Sequence, residues 1–185
     1  MGMDHTYYNP YQLNRDRFCP PTEKDEIWRQ AIIRGYVHDQ NAALMGGVAG
    51  HAGLFSNVYD LTKWLYMLKN GGTYGGERYL KQETIDSFTK QQLKYNRKGL
   101  GWDKPELKGK SSSPCSDYAS RSTFGHTGFT GTAVWVDPAN DLIFVFLSNR
   151  TYPNASNRLL LRENVRVKLM DVVYESMGRK QQQYR

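Results

Sequence analysis

The chain has 185 residues, 39% hydrophobic and 13% aromatic, with 25 Lys and Arg against 18 Asp and Glu for a net charge of +7. That length fits one domain, no run of 18 apolar residues offers a membrane span, and 17 glycines with 7 prolines exclude collagen-like and low-complexity chains. The basic residues are scattered, with no run of five, so the excess charge reads as solvated surface rather than as a nucleic-acid interface.

Residues 1–24 are rich in Tyr, Asn and Pro and predict extended chain and turns. Thr22, followed by Asp25 and Glu26, predicts a short helix to about Ile32. Residues 42–57 are small and glycine-rich, which predicts tight turns or close backbone approach to another group. Ser56 or Asn57 is placed to cap a helix over 60–70, with Leu61, Trp64, Leu65 and Leu68 on one face and Gly71 and Gly72 as its stop. A second helix is predicted at 82–91, and a long polar surface loop at 104–121.

The remainder predicts a β-meander and a helix. Residues 131–138 and 141–149 are strands joined by a hairpin-length Pro-Ala-Asn link, with 124–128 as a third strand. The last helix is expected at about 157–177, with Leu160, Val165, Leu169 and Val172 or Val173 as its apolar face. Strands followed by a helix give an α+β architecture. Cys19 and Cys115 lie far apart, without metal-ligand spacing, and whether they pair is open. His38, Asp39, Asn41 and His51 carry metal-capable groups but no zinc pattern, so they read as loop hydrogen-bonders. No metal or cofactor is expected.

Chemistry is concentrated at 124–132. On a strand, His126 and Gly128 share one face, Thr127 lies between them, and the glycine admits a ligand close to the backbone. Such a set suits recognition of a carboxylate or a carbonyl.

These residues also carry a family resemblance. His126-Thr127-Gly128 and the strands after it resemble the third motif and last strands of the serine β-lactamase and penicillin-binding-protein superfamily. More narrowly, they resemble the branch with class C β-lactamases, DD-peptidases and esterases. Residues 46–72 are similar to the glycine-rich loop that lines the cleft there and leads into a helix opening Ser-x-x-x-Asp-Leu, here Ser56, Asp60 and Leu61. The resemblance implies substrate-binding roles for His126, Thr127, Gly128, His51, Ala52 and Gly53. It implies a partial β-lactamase/transpeptidase-like fold and a reaction by acyl transfer, in which a serine attacks a carbonyl and a lysine one helical turn later moves its proton.

In the family, Ser-x-x-Lys and Tyr-x-Asn precede the segments matched here. Two literal matches exist, Ser87 with Lys90 and Tyr7 with Asn9, but their order is reversed. Ser87, Lys90 and Tyr7 are therefore weak catalytic candidates. The expectation is that residues 1–185 form one incomplete domain, the C-terminal part of a serine hydrolase domain, inactive alone. Its sheet would expose a strand edge needing an upstream segment or self-association. The implied substrate is a peptide, β-lactam or ester, linked to peptidoglycan metabolism. The implied parent is periplasmic or in the cell envelope, and derives from a fusion with a β-N-acetylhexosaminidase. The alternative is a degenerate, non-catalytic member that binds cell-wall peptide or a protein partner.

Overall fold

A computed structural model describes residues 1–106 and 113–179. The described residues form four small antiparallel sheets and five α-helices, in chain order β1 (Tyr7–Tyr8), β2 (Glu23–Asp25), β3 (Ala31–Ile33), α1 (Gln40–Leu44), β4 (Leu54–Phe55), α2 (Val58–Lys69), β5 (Thr73–Tyr74), β6 (Glu77–Arg78), α3 (Gln82–Thr89), β7 (Phe124–Thr127), β8 (Ala133–Asp137), β9 (Leu142–Phe146), α4 (Leu159–Arg162) and α5 (Val165–Ser176).

The meander β7-β8-β9 is the largest sheet, as expected, with Thr127 opposite Ala133 and Ala133 opposite Phe146. The Pro138–Asn140 link is a turn of 3-10 helix. One face of the sheet packs on α2 and α3, where Leu65, Met67, Leu68, Ile85, Phe124 and Val136 are buried together. The other carries Ala133 and Trp135 against Met170 and Tyr174 of α5. Trp64 stacks on Trp102, which meets Phe124 edge-on, and so extends the first core along β7.

Helix α2 starts as its sequence dictates. The Asn57 side chain accepts from Asp60 N at 2.9 Å, a standard N-cap. Gly71 and Gly72, at φ +63° and +90°, carry the chain away from its end. The buried Asp60 carboxylate accepts from His5 N and Thr6 Oγ1, tying the first residues to α2. Strand β1 then pairs with β4 at the end of the glycine-rich segment.

Four expectations need correction. Residues 22–32 form no helix. They form the β2-β3 hairpin, because Asp25 Oδ1 accepts from Ile27 N and Trp28 N and closes a turn. The final helix is two, since Asn164 takes the left-handed conformation at φ +51° between α4 and α5. Its buried residues are Met170 and Tyr174, while Leu169 and Val172 are exposed. The segment 104–121 is not all surface: Cys115, Ser116, Ala119 and Ser120 are buried, and 107–112 lie outside the described residues. Cys19 and Cys115 are both free thiols, and both are buried.

Candidate functional site

The site is built on the outer edge of β7. Gly125 faces outward there. Asp103 N donates to Gly125 O at 2.7 Å, and Gly125 N donates to Asp103 O at 3.0 Å. The Asp103 side chain is gripped by Arg97 and Lys98, at 2.7 and 2.6 Å. Gly125 is obligatory, because a Cβ would fall 2.1 Å from Val134 O and against Trp135. Two residues along, Thr127 faces the same edge, by the alternation of an antiparallel strand. Among the described residues no strand or bridge pairs with it on that side. The edge is thus closed at Gly125 and leaves the Thr127 N–H unpaired among the described residues.

The three candidate binding residues differ in exposure. His126 is exposed, and Thr127 and Gly128 are half-buried. His126 Nδ1 lies 2.8 Å from Thr127 O. A carbonyl only accepts, so Nδ1 carries the hydrogen, and Nε2 is the nitrogen left to meet a ligand. The turn after them is locked. Gly128 N donates to Thr132 O, Gly131 N to Gly128 O, and Arg150 N to Thr130 O, at 2.8 to 3.1 Å. A Cβ on Gly128 would lie 2.2 Å from Thr132 Oγ1.

The glycine-rich loop carries the second group of candidates. Gly47 N donates to Ala42 O of α1, and Ala49 N donates to Ala52 O. Gly53 sits at φ +114°, and a Cβ there would be 2.3 Å from Gly47 O, so only glycine closes this loop. Ala52 packs on the small core of Val37, Ala42 and Ala49. His51 is exposed, and its Nε2 meets Asp39 Oδ1 at 3.0 Å. Asp39 also caps α1 by accepting from Ala42 N. Its carboxyl is held below the usual range, first by that N–H and then by His51.

His38 reaches the turn after β7. Its ring stacks on Phe129, next to Gly128, with centroids 5.4 Å apart. Its Nε2 meets Glu23 Oε2 at 2.6 Å, and Glu23 Oε1 accepts from Ala155 N. Sequence reasoning missed Glu23 and Phe129, since neither belongs to a recognisable pattern. His38 and His51 serve as the hydrogen-bonding loop residues expected, and among the described residues no three His, Cys, Asp or Glu are grouped to hold a metal.

Two arginines give this end of β7 a positive field. Arg150 is buried and donates only to carbonyls, those of Phe129, Ala155 and Asn157. Arg166 donates to Thr132 O. Burial and the nearby Arg150 charge both lower the Arg166 pKa. Neither forms an ion pair among the described residues.

The other candidates lie apart from this edge. Ser87 is exposed on α3, two residues after the buried Ile85. Lys90 has left the helix, at ψ 152°, and no hydrogen bond joins the two side chains. Tyr7 is half-buried in β1, with the Arg15 guanidinium 5.3 Å from its ring centre.

The family model named Beta-lactamase matches residues 1–167. The chain belongs to the β-lactamase family. Two curated relatives, each named "Putative D-alanyl-D-alanine carboxypeptidase", come from Salmonella gallinarum and Salmonella paratyphi B, and each is 36% identical over 174 residues. The match takes in 85% of this chain and 39% of each relative, so the chain spans about two fifths of their length. A solved β-lactamase from Mycobacterium bovis superposes with a TM-score of 0.51 at 25% identity, over 68% of this chain and 46% of that one. The fold is therefore a partial α+β fold of the β-lactamase type, and the family is that of the serine β-lactamase and penicillin-binding-protein-like hydrolases.

Proposed function

We propose that this chain is the substrate-binding, C-terminal part of a serine hydrolase that acts by acyl transfer in cell-wall metabolism. Its substrate is a peptide, with β-lactams and esters as chemical relatives. The observation that carries this reading is the half-open edge of β7, closed by Asp103 at Gly125 and with the Thr127 N–H unpaired among the described residues. An extended peptide lies along such an edge as an added strand, and one of its carbonyls accepts from the Thr127 N–H. Thr127 and Gly128 hold the reacting end. A backbone N–H on that edge, at Thr127 or just beyond it, completes an oxyanion hole. With the hydrogen on Nδ1, His126 Nε2 accepts from a substrate N–H, and the positive field of Arg150 and Arg166 favours a substrate that ends in a carboxylate. His51, Ala52 and Gly53 contribute from the glycine-rich loop.

The nucleophilic serine and its lysine come from a segment outside this chain. Attack by that serine breaks the carbonyl–leaving-group bond, and water later frees the acyl group. The exposure of Ser87 and the departure of Lys90 from its helix support this over a nucleophile within the chain. The name of the Salmonella relatives, D-alanyl-D-alanine carboxypeptidase, agrees with a peptide ending in D-alanyl-D-alanine. A cell-envelope location and descent from a fusion with a β-N-acetylhexosaminidase go with the same reading.

Labelling by a fluorescent β-lactam tests it. The chain alone stays unlabelled, and the chain joined to the preceding half of a full-length relative becomes labelled, with or without Ser87→Ala. Labelling of the chain alone that vanishes in Ser87→Ala overturns it.

A further inference from the structure

We propose that Phe129 is a specificity-determining contact that selects substrates carrying an apolar or aromatic group beside the segment held by Thr127 and Gly128. This rests on the substrate-binding reading of β7 given above.

Phe129 is 63% exposed although it follows directly on the open edge of the strand. Exposed rings on loop tips ordinarily turn freely. This one is fixed at both its backbone and its side chain. Its carbonyl accepts from Arg150 Nε at 2.9 Å, and the turn it occupies is closed by Gly128 N to Thr132 O and by Arg150 N to Thr130 O. The His38 imidazole lies against the ring, with planes 22° apart, and the Arg150 guanidinium carbon lies 4.6 Å from its centre. Both holding groups are themselves held: His38 by Glu23, and Arg150 by the carbonyls of Ala155 and Asn157.

The arrangement uses partly buried polar contacts from three separate segments to keep one hydrophobic ring in water. A fixed aromatic surface binds an apolar partner at low entropic cost, since the ring has little freedom left to lose. Its place beside Gly128 puts that surface within reach of a side chain or acyl group on a peptide lying along β7. The ligand class is thus a short peptide with an apolar group next to its anchored end.

The test is titration of the 15N-labelled 185-residue chain, read at the amides of Thr127 and Gly128. The probes are N-acetyl-D-alanyl-D-alanine and N-phenylacetyl-D-alanyl-D-alanine. The wild-type chain binds the phenylacetyl peptide about fivefold more tightly, the size of one aromatic contact. In Phe129→Ala the preference falls to about one. Phe129→Leu keeps an intermediate preference. A preference that survives in Phe129→Ala makes the ring a loop staple and overturns the proposal. A wild-type chain that binds the acetyl peptide but shows no preference overturns it too, while the reading of β7 stands. If neither peptide moves Thr127 or Gly128, the reading of β7 fails and this inference fails with it.

Discussion

The imidazole of His38 does two things at once: it stacks on Phe129 and meets the Glu23 carboxylate at 2.6 Å. Glu23 also accepts from Ala155 N. A single carboxylate in the β2-β3 hairpin therefore braces both the turn after β7 and the chain after β9. Glu23→Ala should destabilise the protein by about 1–2 kcal/mol, read from urea melts, since it removes two partly buried hydrogen bonds. Glu23→Gln should cost less, because its amide oxygen still accepts from Ala155 N. Equal losses in the two variants would mean that the Ala155 bond contributes nothing.

Gly128 faces a single obstacle. A Cβ there collides with Thr132 Oγ1, at 2.2 Å, while the next contact, Thr132 Cβ, is at 3.6 Å. Gly128→Ala should therefore destabilise the turn by about 1–3 kcal/mol, in the range of overpacking. Adding Thr132→Ala should recover most of that loss. Thermal melts of the two single variants and the double variant measure the coupling.

Asp137 ties the C-terminal half together. It is fully buried and accepts from Ser120 N and Oγ, Asn140 N and Nδ2, and Tyr174 OH. Burial alone pushes its carboxyl up, but these donors outweigh it and hold the group below the ordinary carboxylate range. The stability it contributes is then complete above about pH 4 and is lost as pH falls through the folded value. Asp137→Ala should cost about 3 kcal/mol at pH 7 and should flatten the acid limb of stability against pH. An unchanged acid limb would assign that limb to other carboxylates, such as Asp60 and Asp103, which are also held low.

Both thiols should resist alkylation in the folded protein. Burial pushes Cys115 up to about 12 and raises Cys19 as well. The thiolate is the reactive form, and little of it exists at pH 8. Iodoacetamide should modify both cysteines quickly in urea and slowly without it, by mass spectrometry. Fast native labelling of Cys115 would mean that its surroundings open.

Much of this was legible because it rests on local pattern. The alternation in 131–149, the cap at Asn57 and the stop at Gly71 each depend on residues within a few positions. The strand β7 was legible from its own short pattern, although what forces its glycines is Val134 and Trp135 of the next strand at Gly125 and Thr132 at Gly128. What escaped depends on distant partners. The β2-β3 hairpin is the exception: its turn is local, closed by Asp25 accepting from Ile27 N and Trp28 N, but the same acidic residues after Thr22 read as a helix start. The buried face of α5 is set by Ala133, Trp135 and Asp137, far away in sequence, so Met170 and Tyr174 go inside and Leu169 does not. Asp103, Glu23 and His38 enter the site only through contacts across the fold, which spacing along the chain does not encode.

The central claim is that substrate rests on β7 and the glycine-rich loop, not on α3. Photocrosslinking tests it most directly, using an acyl-D-alanyl-D-alanine peptide that carries a diazirine, followed by mass spectrometric mapping on the purified chain. The account predicts crosslinks within residues 126–129 and 51–53, competed away by unmodified peptide. Competable crosslinks centred on Ser87 and Lys90, with none on β7, would contradict it.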